Sequence, residues 1–177
     1  MSSHNYYLVS IIIYILSKMD LNEASYQVLE KNGFIQNVIL FIDDFSSRLV
    51  DGTETTSNEH FTNIIYYMLG FIDDHFSSKY VISCLDMKVL LRWVNMYKVD
   101  RGIVNIWLEI VEKCIEGQTF HLNDEIETMI VTFLLDIICI FSEKSIYAVN
   151  IQVISFNILL DLLSGYSGII YYSSLYY

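Results

Sequence analysis

Apolar residues recur along this chain at intervals of three and four, the spacing of one face of an α-helix. Phe34, Val38, Phe41, Phe45 and Leu49 form one stripe, and Phe61, Ile65, Met68, Ile72, Phe76 and Tyr80 form a second. Val89, Leu90, Trp93, Val94 and Tyr97 continue the pattern, followed by Ile103, Ile106, Trp107, Ile110 and Cys114. The strict alternation that marks a half-buried strand is scarce. The expected fold class is therefore all-α, with about eight helices in a single domain over residues 1–177.

The chain has no proline, so helix limits are read from Gly, Asn, Asp and Ser. A first helix is expected from about Asn5 to Lys18. Asp20, with Glu23 three residues on, has the form of a capping box. Asn32-Gly33 reads as a helix exit, because glycine tolerates the left-handed conformation. Residues 51–56 read as a loop, and Thr56 with Glu59 as a second capping box. Ser83 or Asp86 opens the next helix, Asp100-Arg101-Gly102 turns the chain, and Gly117 ends the helix that follows. Asn123 caps another, with Asp124, Glu125 and Glu127 at the positive end of its dipole. The stretch Ile126–Phe141 is apolar on nearly every side and is expected to be the buried centre. A last helix is expected from about Ile146 to Leu163, ending before Gly165. The tail, residues 166–177, mixes Tyr, Ser and Ile and carries no clear pattern.

One segment is used twice. Phe41-Ile42-Asp43-Asp44-Phe45-Ser46-Ser47-Arg48-Leu49-Val50 returns as Phe71-Ile72-Asp73-Asp74-His75-Phe76-Ser77-Ser78-Lys79-Tyr80-Val81. Looser echoes run from Leu134-Leu135-Asp136 and from Leu159-Leu160-Asp161. Such repetition implies stacked antiparallel helix pairs, as either a short HEAT-like α-solenoid or a compact multi-helix bundle.

Composition then narrows the class. Apolar residues make up 54% of the chain and mean hydropathy is +0.41, which raises the question of a membrane. The longest apolar runs, Ile11–Leu16 and Met129–Phe141 around Asp136, fall short of the roughly 20 residues that span a bilayer. No transmembrane segment is expected on that count. Nor is a signal peptide, because the N-terminus lacks a basic start and a small-residue cleavage site.

The formal net charge is −11, and the acidic excess extends along the whole chain. Such a surface repels nucleic acid and anionic lipid and attracts basic proteins. The same acidity also keeps an apolar protein in solution. Cys84, Cys114 and Cys139 sit in apolar helical pattern without metal-ligand spacing. They read as reduced core thiols of a cytoplasmic protein.

Chemistry is sparse. His4, His60, His75 and His121 are scattered. Asp73 and Asp74 beside His75 form the one carboxylate–imidazole cluster, in a pattern that suits a solvated helix face. No phosphate-binding glycine loop, nucleophile elbow or zinc-helix motif occurs. The expectation is a protein that is not an enzyme and carries no cofactor or metal.

The more informative residues are acidic. Glu109, Glu112 and Glu116 share one helix face at spacings of three and four, with Lys113 as the nearby cation. Like charges so placed cost a helix a few tenths of a kcal/mol, which a basic partner would offset. Asp43, Asp44, Asp73 and Asp74, placed alike by the repeat, are a second candidate contact set.

Two families share this character. Eight helices around an apolar one, with a tyrosine-rich tail, resemble a viral Bcl-2-like apoptosis inhibitor, which would imply a groove for an amphipathic helix. The Asn-Trp-Gly-Arg motif of that family is absent, and Asp100-Arg101-Gly102 is the nearest stretch. In size, acidity, paired helices ending Phe41-Ile42-Asp43-Asp44 and Phe71-Ile72-Asp73-Asp74, and lack of a catalytic set, the chain resembles more closely the small helical immunity proteins of bacterial toxin–immunity pairs. That resemblance implies a stoichiometric inhibitor covering the active site of a basic toxin, commonly a nuclease. A homo-oligomer is compatible with either.

Overall fold

The computed structural model describes residues 3–50, 58–75, 84–116, 123–142 and 145–173, and every regular element among them is an α-helix. The helices are α1 (Ser3–Lys18), α2 (Glu23–Lys31), α3 (Phe34–Val50), α4 (Asn58–His75), α5 (Cys84–Met96), α6 (Arg101–Glu116), α7 (Asp124–Ile140) and α8 (Ile146–Ser173).

Local chemistry sets most limits as expected. Asn123 caps α7 by accepting the Ile126 N–H at 2.9 Å, and Asp100 accepts the Ile103 N–H at 3.0 Å to open α6. Gly33 leaves α2 with φ +63°, and its N–H meets the Glu30 carbonyl at 2.8 Å. The cap of α2 differs from expectation. Asn22 rather than Asp20 accepts the Ser25 N–H, at 2.9 Å, so Glu23 is the first helical residue and cannot complete a box. The loop at 51–56, Thr56, Ser83, Gly117 and His121 lie outside the described residues.

The helices stack in two rows. One runs α1, α4, α6, α8; the other runs α3, α5, α7, with α2 against α3. Lys88 near the start of α5 meets Glu125 near the start of α7 at 2.7 Å. Lys98 just past α5 meets Asp136 near the end of α7 at 3.2 Å, so row neighbours α5 and α7 run parallel. The rows meet where α7 packs directly on α8 and α5 on α6, and through side chains such as the edge-on rings of Phe34 and Phe71 and of Trp107 and Phe133, with centroids 6.4 and 4.8 Å apart. This is the stacked-pair form of the all-α fold.

The stacking unit is not the one the sequence repeat marks. The two Phe-Ile-Asp-Asp copies fall on α3 and α4, one in each row, whereas ion pairs tie α3 to α5, α5 to α7 and α4 to α6 within rows. Residues 76–81 of the second copy lie outside the described set.

The core centres on α4, α5 and α6. Ile65, Leu69, Leu90, Trp93, Val94, Ile103, Trp107 and Leu108 are all fully buried. The expectation that Ile126–Phe141 is the centre is corrected. α7 buries Ile126, Ile130, Phe133, Leu134 and Ile137, while Met129, Leu135, Cys139 and Ile140 are exposed. It is apolar all round yet has neighbours on one side only, and Cys139 is not a core thiol. α8 is also longer than expected. It continues through Gly165 and Gly168 to Ser173, because an interior glycine costs a helix only about 1 kcal/mol and no proline blocks the backbone.

Candidate functional site

Glu109 and Glu112 share one face of α6, and the side chain of Glu116 lies outside the described residues. The opposite face of this helix carries Ile103, Trp107, Ile110 and Cys114 into the core, which turns Asn105, Glu109 and Glu112 outward, all half-buried. Asn105 donates its side-chain N–H to Glu109 Oε1, which pins that carboxylate along the helix. Glu112 also interacts within the chain. Glu116 closes α6 one turn further on.

Lys113 does not neutralise this stripe through a contact of its own. Its Nζ reaches across to α4, donating to Asp73 Oδ1 at 2.7 Å and to the Asp73 carbonyl at 3.1 Å. The cation nearest the glutamates in sequence is thus held to one side of them, by a residue that was itself a candidate contact.

The four aspartates of the repeat are not equivalent. Asp43 and Asp73 are half-buried and each joins a row neighbour, Asp43 with Arg92 of α5 at 3.0 Å and Asp73 with Lys113. Asp44 and Asp74 are exposed and also interact within the chain. Because α3 and α4 lie in different rows, the aspartates do not form one surface with each other. The repeat does place the two copies alike, each within its own row. Trp107 and Tyr97, considered as aromatic anchors, are fully buried and half-buried respectively.

A groove of about 450 Å³ between α5 and α7 had no counterpart in the sequence pattern. Leu91, Met129 and Phe133 supply its apolar part; Lys88, Arg92, Glu125 and Asp136 line it with charge. All four of these charges are in ion pairs, with partners 37 to 49 residues away in sequence. No histidine or cysteine is among its described lining residues.

The rest of the described chain offers little chemistry. Cys114 is buried, and burial pushes its thiol up to about 12, which keeps it protonated and unreactive. No group of three or more potential metal ligands occurs among the described residues. Within α8, the stretch Ile146–Ser164 has mean hydropathy 1.7, long and apolar enough to cross a membrane, and 28% of it is buried. Counting unbroken apolar runs misses it, because Asn150, Gln152, Asn157 and Asp161 interrupt the run without lowering its average enough.

The chain matches no protein-family model, and no curated protein or solved structure is significantly similar to it.

Proposed function

We propose that the chain is a non-enzymatic binding module that neutralises a basic protein toxin, a nuclease being the best electrostatic fit, in the manner of a cytoplasmic immunity protein. The observation that supports this reading is the α6 face, where Glu109 and Glu112 lie on the side away from the core. A net charge of −11 would speed the approach of a basic partner and repel nucleic acid. Such an inhibitor acts by covering the toxin's active site, so it needs a rigid charged surface and no reacting group. The viral Bcl-2-like reading rested on a central apolar helix; with α7 open on one side, no observation favours it.

The test is a titration against a cognate basic toxin, at low and moderate salt. Glu109→Lys with Glu112→Lys is expected to weaken binding by about 2 kcal/mol or more, with reduced salt dependence. Glu30→Lys, on exposed α2 surface, is expected to change it little. Unchanged affinity in the double variant and no salt dependence would remove the acidic-face mechanism.

A further inference from the structure

The two helices at opposite ends of one row each present an apolar stripe on the side away from the core. On α8 the residues are Ile146, Val149, Val153, Phe156 and Leu160, between 48% and 86% exposed. Their spacing of three, four, three and four is the heptad seam of a helix that packs against another helix. The opposite arc of the same helix, Ala148, Ile151, Ser155, Ile158 and Leu162, is buried against α6 and α7. α8 therefore has two apolar faces and its own chain covers one of them. On α1 the stripe is Leu8, Ile12 and Ile15, with Met19 just beyond the helix, at spacings of four, three and four and between 39% and 57% exposed. This too is heptad spacing, while Ile13 on the inner side is 2% exposed.

A stack of helix pairs normally ends in helices with polar outer faces, because an apolar end recruits the next unit. Both ends of this row lack that protection. We infer that a second copy of the chain covers these stripes head to tail, with α8 of one protomer lying on α1 of the next as the continuation of the row.

Charge selects this occupant. From Ile146 to Ser164 the only charged residue is Asp161, and within α1 the only lysine, arginine or carboxylate is Lys18. Pairing α8 with α1 offers Asp161 a cation in Lys18, whereas pairing α8 with itself offers it none. An uncharged seam also gives two molecules of net charge −11 a place to meet without direct repulsion. The five α8 side chains, each about half exposed or more, offer a continuous apolar area, though one smaller than the roughly 800 Å² that one partner brings to a standard interface. A bilayer fits less well, because Asn150, Asn157 and Asp161 are exposed beside the stripe, and each would enter lipid without a partner.

The test uses the full 177-residue chain in sedimentation velocity across a concentration series, with two variants at exposed positions, Leu160→Lys on α8 and Ile15→Lys on α1. Wild type is expected to grow in mass with concentration. Each variant alone is expected to lose association by roughly 100-fold or more, since a lysine would be buried unpaired in the joint. An equimolar mixture of the two retains one intact α8 and one intact α1, and is expected to form a discrete 1:1 dimer and nothing larger. Wild type that stays monomeric to high micromolar concentration overturns the inference, as does a monomer that floats with phosphatidylcholine vesicles. An Ile15→Lys variant that still dimerises by itself overturns the head-to-tail arrangement.

Discussion

α6 and α8 are neighbours in one row, and the more apolar of the two is the less buried. α6 places Ile103, Val104, Trp107, Leu108, Ile110, Val111 and Cys114 at 1% exposure or less and turns only polar positions fully away from the core. α8 has more apolar sequence than it has neighbours, and leaves Val153, Phe156 and Leu160 more than half exposed. The difference lies in position. Within its row α6 has α4 on one side and α8 on the other. α8 packs on α6 and on α7 with the same arc and has no helix among the described residues on its outer side, so the same kind of side chain is core in α6 and surface in α8. Apolarity states how much burial a helix can use; the stacking order states how much it receives.

The sharpest way to break this comparison is to truncate one large ring from each helix. Trp107→Ala removes a fully buried indole that packs edge-on against Phe133, and is expected to destabilise the protein by about 3–5 kcal/mol in urea unfolding. Phe156→Ala, at a position 52% exposed, is expected to cost the isolated protomer under about 1 kcal/mol at low concentration. Equal costs would mean that the outer stripe of α8 is core after all.

Alkaline pH probes the buried side of the same contrast. Burial raises the Cys114 thiol to about 12 from an ordinary value of 9, so folding favours its protonated form. Its contribution is whole below the unfolded value near 9 and is lost as pH rises toward 12. The loss runs at about 1.4 kcal/mol for each pH unit in that window, and reaches a few kcal/mol at most. Unfolding free energies from pH 8 upward are expected to fall less steeply in Cys114→Ala than in wild type, and identical slopes would place Cys114 in contact with water. Cys139 on exposed α7 surface is expected to react with a thiol reagent in the native protein, read by peptide mass, while Cys114 reacts only on unfolding.

A smaller effect separates the linking acids from the outward ones. Asp73→Asn loses the charge that holds Lys113 across α4 and α6, and is expected to cost about 0.5–1 kcal/mol, the usual range for a partly exposed pair. Glu109→Gln keeps a side-chain oxygen that can accept from Asn105, and is expected to stay within about 0.5 kcal/mol of wild type in the same urea experiment. A reversal of that order would make the α6 stripe a stability element and remove its claim to be a contact surface.

Much of the helical framework was legible in the sequence, and so was the acidic stripe of α6. Asn123 and the Asn32-Gly33 exit act on groups three or four residues away, and the glutamates at 109, 112 and 116 share a face by helix geometry alone. The centre of the molecule was not legible, because an all-round apolar sequence such as α7 fits a buried core and an end position equally well. The repeat misleads for a related reason. Copies on α3 and α4 record similarity between helices, while stacking depends on contacts such as Lys88–Glu125, which no local pattern marks.

The sequence by itself determined that this chain is helical, where most of its helices start, and which face of each is apolar. These are consequences of a period of about 3.6 residues and of capping groups that reach one turn. Only the tertiary structure decided that Lys113 belongs to Asp73, that Asp43 and Asp73 lie in separate rows, and that α1 and α8 keep an open apolar stripe. These outcomes depend on which helices come to lie side by side, and that choice is made by the packing of many surfaces at once.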